Sequence, residues 1–217
     1  MITISLILER FGAYMERHII AISGGGFSEM EGAFIDQYIL KIKRKASPLR
    51  IAFVATASND AQSYIGKFYN AFKCEHPSHL AIPDFELATI QEVVNSLDII
   101  YVGGGNTKYM LDVWRKTGFD EVLKKAYEQG VILTGISAGA MCWFEHCYTE
   151  ISESEYGYFE GLGILKGALC PHHNDSTRKK YFDKWSLKNS TTPTYPLEDH
   201  ENLHFVNEQC IAKLETY

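Results

Sequence analysis

The segment Gly135-Ile136-Ser137-Ala138-Gly139 carries the strongest chemical signal in the chain, because it has the G-x-S-x-G pattern of a nucleophilic serine. Small neighbours allow a sharp strand-to-helix turn, which exposes the serine hydroxyl at the edge of a sheet. The N–H groups that follow it then point towards a developing oxyanion. Here the pattern follows the apolar run 131–134 and precedes a helix-compatible stretch, AGAMCWFEH. The sequence therefore predicts a functional serine at position 137.

A serine nucleophile needs a base, and the base needs a group that orients it. His172 and His173 follow a predicted strand over 164–169, so either histidine can reach the sheet edge that carries Ser137. The spacing does not separate the two. His146 falls on the helix predicted after the serine and is expected to point away. The candidate acids between the serine and these histidines are Glu145, Glu150, Glu153, Glu155 and Glu160.

The turn Gly103-Gly104-Gly105-Asn106 is the second candidate for a chemical role. It does not match a dinucleotide-binding fingerprint, because Lys108 stands where the third glycine is needed. A glycine turn at a strand end can instead offer a backbone N–H to an oxyanion. Cys142 is interpreted as a small buried hydrophobic residue and not as a competing nucleophile.

The composition is that of an ordinary globular protein: 217 residues, 46% hydrophobic and 22% charged. A net charge of −6 argues against a nucleic-acid or anionic-membrane surface, since both require a basic face. The five cysteines are widely spaced and form no C-x-x-C pair, so neither a zinc site nor a thioredoxin-like motif is predicted. No apolar run is long enough to span a bilayer. A cytoplasmic protein without metal is expected.

Apolar strands alternate with glycine turns and helical patterns along the chain. Strands are predicted at 18–23, 51–55, 98–102 and 131–134, and helical spacing covers about 107–129 with a break near Gly118. This alternation indicates a parallel sheet covered by helices on both faces, with ligands at the carboxyl ends of the strands. One domain over residues 15–217 is predicted, preceded by an uncertain N-terminal extension over residues 1–14.

Three motifs together resemble one family: YVGGGNTKYML (101–111), GISAGAMCWF (135–144) and GLGILKGALCPHHND (161–175). They occur in the order and near the spacing of the dipeptidase E family, the aspartyl dipeptidases, with the cyanophycinases as more distant relatives. The similarity spans roughly residues 16–210. It implies a flavodoxin-like, three-layer αβα fold similar to that of class I glutamine amidotransferases, with serine in place of their cysteine.

The resemblance also implies roles for individual residues. Ser137 matches the nucleophile, and His172, directly after Pro171, matches the catalytic histidine and is favoured over His173. The oxyanion would be bound by the N–H groups of Gly104 and Ala138. Glu150 is the best match to the acid, although the family usually has an aspartate there, with a Ser–His dyad or Glu153 as alternatives. Weaker substrate-binding candidates are Gly105, Asn106 and His173.

The resemblance implies hydrolysis of small peptides with an N-terminal aspartate, without a cofactor, by a monomer or homodimer. Lys108 and Arg178 are the cationic candidates for contact with an acidic substrate, although Arg178 lies in a basic run that also suits a solvated helix face. Two alternatives stay open. One is an esterase that uses the same serine turn, and the other is a homologue that binds a small molecule without catalysing a reaction.

Overall fold

The computed structural model describes residues 15–29, 33–43, 48–152 and 155–216. The predicted extension over 1–14 and the alternative acid Glu153 lie outside these residues. The strands are β1 (His18–Ile22), β2 (Arg50–Val54), β3 (His76–Leu80), β4 (Ile99–Val102), β5 (Ile132–Ile136), β6 (Phe144–Ser152), β7 (Glu155–Glu160), β8 (Leu165–Cys170), β9 (Thr194–Pro196), β10 (Glu201–Val206) and β11 (Gln209–Glu215). The helices are α1 (Phe34–Ile42), α2 (Gln62–Ala71), α3 (Ile90–Asn95), α4 (Thr107–Thr117), α5 (Phe119–Glu128), α6 (Ala138–Met141) and α7 (Ser176–Lys188).

The main sheet has seven strands in the order β11-β10-β1-β5-β4-β2-β3. The five strands from β1 to β3 in this order run parallel, whereas β10 and β11 are antiparallel to their neighbours. Strands β1, β2, β4 and β5 are buried along almost their whole length, as expected for a parallel sheet covered on both sides. The predicted parallel sheet is confirmed, with β5 and its serine turn between β1 and β4.

Two clusters of buried apolar side chains lie on opposite faces of this sheet. One face packs on α1 and α2 through Ile39 and Phe68. The other packs on α4, α5 and α6 through Trp114, Leu123 and Met141. The alternating side chains of each strand supply both clusters, because successive residues of a strand point to opposite faces. The result is three layers: helices, sheet and helices.

A second sheet of four strands, in the order β7-β6-β8-β9, corrects the prediction for the segment after Ser137. The stretch AGAMCWFEH was expected to continue as a helix, but α6 ends at Met141 and β6 begins at Phe144. His146 therefore lies on a strand, opposite Glu160 of β7, and its Nδ1 is 3.0 Å from the hydroxyl of Tyr158 on the same neighbouring strand. Phe144 is fully buried, and either a helix or a strand could bury such an apolar run.

Gly139 is required where α6 crosses the end of β4. A Cβ atom placed there would lie 2.4 Å from the carbonyl oxygen of Val102, which is backbone and cannot move aside. Gly135 meets Gly139 equally closely, with its added Cβ 2.3 Å from the Gly139 oxygen. The two glycines of the serine turn thus let α6 pack directly on the sheet.

We expect the substitution Gly139→Ala to lower the free energy of unfolding by about 1–3 kcal/mol or more, the range for overpacked sites. The matched control is Gly66→Ala in α2, where a Cβ would meet nothing within 4 Å. That variant should be as stable as the parent or more so, by up to ~1 kcal/mol, since alanine favours helix. Urea unfolding of the two variants measures the difference. Equal effects would contradict the proposed close packing at Gly139.

Asp36 is a buried carboxyl group on the inner face of α1, with 3% of its surface exposed. The hydroxyl of Tyr101 donates to Oδ1 at 2.9 Å, while Oδ2 has no partner among the described residues. Burial raises the pKa of Asp36 to about 7, against the opposing effect of hydrogen bonds from Tyr101 and the Phe27 backbone. The folded protein therefore holds this carboxyl in its protonated form well above pH 4.

We expect the stability of the protein to fall as the pH rises from about 4 to about 7 on account of Asp36. In that window the unfolded carboxyl is ionised while the folded one keeps its proton, so the unfolded state is favoured, by roughly 4 kcal/mol at most. Asp36→Asn replaces the ionisable carboxyl group and so removes its pH-dependent contribution to stability. The free energy of unfolding of the variant, relative to the parent, should rise between pH 4 and pH 8 in urea titrations. A difference that does not change with pH would refute the assignment.

Candidate active site

Ser137 stands at the carboxyl end of β5 with a backbone conformation that is rare for a residue with a side chain, φ 54° and ψ −107°. Its N–H donates to the carbonyl oxygen of Ile22 on β1 at 2.9 Å, which fixes the turn on the neighbouring strand. α6 begins at the next residue, Ala138. The first N–H groups of a helix have no partner within it, so the N–H of Ala138 is not bonded inside α6.

His172 reaches Ser137 from the loop after β8 on the second sheet. Its Nε2 lies 2.9 Å from Oγ of Ser137, and its Nδ1 is hydrogen bonded to Oδ1 of Asp199. An ionised carboxylate can only accept, so Nδ1 carries the proton and Nε2 is free to accept the serine hydroxyl proton. Ser137, His172 and Asp199 form a continuous chain of hydrogen bonds.

The carboxylate partner of His172 is thus Asp199 and not Glu150, which corrects the sequence expectation. Asp199 lies in the loop between β9 and β10. Its Oδ2 accepts a hydrogen bond of 2.8 Å from Asn174, and its backbone oxygen accepts one of 3.1 Å from Gly24. Partial burial alone would raise the pKa of Asp199, but the hydrogen bonds from Asn174 and His172 outweigh it and hold the pKa below its ordinary value. The carboxylate therefore stays ionised beside the imidazole.

Ser23, at the end of β1, forms hydrogen bonds both to the loop that carries His172 and to the loop that carries Asp199. Its role was not predicted from the sequence. The residue is fully buried. Its Oγ donates to the carbonyl oxygen of Leu197 at 3.0 Å and accepts the N–H of His172 at 2.8 Å. His172, like Ser137, has a positive φ of 54°. Through Ser23, the strained loop that carries His172 is hydrogen bonded to the main sheet and is connected to the loop that carries Asp199.

The glycine turn after β4 lies beside Ser137, as predicted. A Cβ on Gly104 would be 3.4 Å from Cβ of Ser137. The N–H of Gly104 is directed at the hydroxyl of Tyr64, 3.4 Å away, which is longer than an ordinary N–H···O hydrogen bond. Gly105 has a φ of 138° and packs against the Ala57 backbone, and Oδ1 of Asn106 caps α4 by accepting the N–H of Tyr109 at 2.9 Å.

Two cavities share Glu150 and Arg178 in their walls, and His172 lines the first of them. The first, of about 560 Å³, is lined by Glu150, Tyr156, His172, Asp175, Thr177, Arg178 and Tyr181. The second, of about 340 Å³, is lined by Gly105, Asn106, Thr107, Thr149, Glu150, Ile151 and Arg178. Glu150, which was expected to orient His172, is instead an exposed wall residue shared by both cavities. Gly105 and Asn106 do face a cavity.

His173, the other weak substrate-binding candidate, is engaged elsewhere. Its Nε2 is 2.8 Å from Oδ1 of Asp183 on α7, and its N–H donates to the carbonyl oxygen of Leu197 at 2.8 Å. The hydrogen bond from His173 lowers the pKa of Asp183. This histidine therefore holds α7 against the second sheet.

The cysteines take no part in this arrangement. Burial raises the pKa of Cys142 well above its usual value, and Cys142 lies at the end of α6 facing the core. Among the described residues, no group of three or more His, Cys, Asp or Glu side chains is placed to hold a metal ion. The described helices include none with the length and apolar character needed to cross a membrane.

A three-layer α/β fold with a serine–histidine pair at the carboxyl edge of its sheet is the arrangement of a serine hydrolase. The chain belongs to peptidase family S51, whose model matches residues 19–213. It is 40% identical over 197 residues to the uncharacterized peptidase YgaJ of Bacillus subtilis, covering 89% of this chain and 85% of that protein.

A further relative and a solved structure are also peptidases by name. Peptidase E of Streptomyces coelicolor is 29% identical over 134 residues, which cover 58% of this chain and 52% of that protein. The crystal structure of a peptidase from an acI-B1 actinobacterium has the same fold, with a TM-score of 0.66 at 19% identity over 90% of this chain and 85% of that one. The flavodoxin-like, class I glutamine amidotransferase-like fold expected from the sequence motifs is confirmed.

Proposed function

We propose that the protein is a serine dipeptidase that cleaves small peptides, characteristically those with an N-terminal aspartate, through an acyl-enzyme. The observation that carries this proposal is the unbroken hydrogen-bonded chain from Asp199 through His172 to Ser137. The aspartate preference rests on the resemblance to the aspartyl dipeptidases. A cytoplasmic location is part of the proposal, since the five free cysteines suit a reducing compartment.

The chemistry starts with Ser137, which is a weak nucleophile until His172 takes its proton. The serine oxygen then attacks the scissile carbonyl carbon, and the resulting oxyanion is bound by the N–H groups of Ala138 and Gly104. The long contact between Gly104 and Tyr64 leaves that N–H able to share its hydrogen with the oxyanion. Asp199 stabilises the imidazolium that forms.

Collapse of the tetrahedral intermediate breaks the C–N bond, and His172 gives its proton to the leaving amine. Water then attacks the acyl-enzyme with His172 again as the base, which releases the acid product and restores the serine. This cycle needs no cofactor, and none is proposed.

Treatment with a fluorophosphonate, followed by peptide mapping in a mass spectrometer, tests the proposal. The reagent reacts with serines that an adjacent base activates, so we expect a single adduct on Ser137. Hydrolysis of aspartyl dipeptides and of a simple ester is measured in parallel. A folded protein that is not labelled at Ser137 would refute the hydrolase proposal, and cleavage of the ester alone would favour an esterase.

A further inference from the structure

Three consecutive residues at the carboxyl end of β1 each contact the backbone of a different member of the hydrogen-bonded chain that ends at the serine. The three contacts are, in order, the Ile22 oxygen with the Ser137 N–H at 2.9 Å, Oγ of Ser23 with the His172 N–H at 2.8 Å, and the Gly24 N–H with the Asp199 backbone oxygen at 3.1 Å. The end of this one strand therefore contacts the nucleophile, the histidine and the acid.

The contact made by Ser23 differs from the other two because it is made by a side chain. Ile22 and Gly24 use backbone atoms, which a substitution leaves in place. The hydroxyl of Ser23 can be removed by a single substitution. Its contribution to the site can thus be measured separately from the fold of β1.

His172 depends on this contact because its backbone is strained. Its φ of 54° lies in the left-handed region, which is uncommon for a residue with a side chain. Such a conformation persists only where the surrounding structure holds it. Without the Ser23 hydroxyl, the N–H of His172 loses its hydrogen-bond partner, and the loop can relax towards an ordinary backbone conformation.

The same hydroxyl connects the histidine loop to the loop of the acid. Oγ of Ser23 donates to the carbonyl oxygen of Leu197 at 3.0 Å, and that oxygen also accepts the N–H of His173 at 2.8 Å. Leu197 lies two residues before Asp199 in the chain. Ser23 therefore accepts a hydrogen bond from one loop and donates one to the other, which fixes the imidazole relative to its carboxylate.

We propose that Ser23 is a positioning residue for catalysis, which holds His172 where Nε2 meets Ser137 and Nδ1 meets Asp199. This inference rests on the serine hydrolase chemistry proposed above. Ser23 has none of its surface exposed, so it acts through His172 and not by contact with the substrate. Its loss should therefore slow the chemical steps and leave substrate binding almost unchanged.

Ser23→Ala is expected to lower kcat for an aspartyl dipeptide ~10- to 100-fold, as for a small misplacement of a catalytic group, while KM stays within about threefold. The control is Thr134→Ala on β5. Thr134 is also fully buried, and its hydroxyl donates to the Ile20 carbonyl of β1 at 3.0 Å. This variant loses a comparable buried hydrogen bond that involves neither loop. It should be destabilised to a similar extent in urea unfolding but keep a kcat near that of the parent.

The tautomer of the His172 imidazole gives a readout that needs no substrate. Long-range nitrogen–proton NMR spectra, detected on the carbon-bound ring protons at a pH where the ring is neutral, distinguish a proton on Nδ1 from one on Nε2. We expect the Nδ1 proton in the parent and in Thr134→Ala, because Asp199 accepts it. Ser23→Ala should show a mixture of the two tautomers, since the ring no longer faces Asp199 in one fixed position. His172→Ala identifies the signals of this ring.

The two readouts separate the Ser23 proposal from the proposed function. If the parent cleaves no aspartyl dipeptide but Ser23→Ala still changes the tautomer, the dipeptidase function is overturned and the positioning role is supported. An unchanged tautomer and kcat in Ser23→Ala would overturn the positioning role. A loss that falls on KM alone, or an equal loss of kcat in Thr134→Ala, would overturn it as well.

Discussion

Ser137→Ala is expected to lower kcat for an aspartyl dipeptide by about 10⁶, the scale seen when the nucleophile of a serine protease is removed. The variant lacks the oxygen that attacks the carbonyl, and within the described part of the chain no hydroxyl other than that of Ser137 contacts Nε2 of His172. A chromatographic assay of the released amino acid measures this loss, with thermal unfolding to show that the variant is folded. Ser96→Ala, which removes a surface hydroxyl that donates to the Val93 carbonyl at 2.8 Å, is the control.

Substitution of each of the adjacent histidines His172 and His173 tests which of them acts as the base for Ser137. His172→Ala should match the loss of Ser137→Ala to within about tenfold, because the two residues act as a unit. His173→Ala removes a contact with Asp183 and should keep most of the activity. Substantial hydrolysis by Ser137→Ala, or greater damage from His173→Ala than from His172→Ala, would show that the proposed nucleophile and base are wrong.

The sequence predicts the parallel sheet well because its strands are continuous apolar runs that end at glycine turns. Strand β3 and helix α3 were not predicted. β3 reads His76-Pro77-Ser78-His79-Leu80, an edge strand with little apolar character, and only Leu80 is buried. Edge strands do not need two apolar faces, so their sequences resemble those of loops. Helix α6 has only four residues and β6 begins soon after it, so the helix is too short to produce a helical spacing of apolar residues in the sequence.

Asp199 shows why the site was only partly predictable. The acids expected from the sequence lie between Ser137 and His172, but the carboxylate that contacts His172 comes from the loop before β10. Because β10 is antiparallel to β1, with Asn202 opposite Ile22, the residues that precede it lie at the carboxyl edge of the parallel strands. A strand direction cannot be read from its own residues, so this placement became visible only with the topology.

Asp199→Asn is expected to lower kcat by about 10³–10⁴ while the fold and KM change little. An asparagine amide in this position can donate to Nδ1, which would place the imidazole proton on Nε2 and leave it unable to accept from Ser137. The matched control is Glu150→Gln, which removes a carboxylate from the cavity wall but no hydrogen bond to His172. Its effect on kcat should stay within about tenfold. The rate of fluorophosphonate labelling at Ser137 should follow the same pattern, because it reports the activated serine without a substrate.

Asp199→Asn and Glu150→Gln together distinguish Asp199 from Glu150 as the acid that orients His172. If Glu150 oriented His172 during turnover, it would have to displace Asp199 from Nδ1 of the histidine. Hydrogen bonds from Asn174 and Gly24 hold Asp199 in that position. Glu150→Gln would then slow labelling more than Asp199→Asn does, and that result would reject Asp199 as the orienting acid. Asn174→Ala adds an independent check, since it removes the 2.8 Å bond to Oδ2 while leaving both carboxylates. A moderate loss of kcat in this variant is expected only if the position of Asp199 matters for His172.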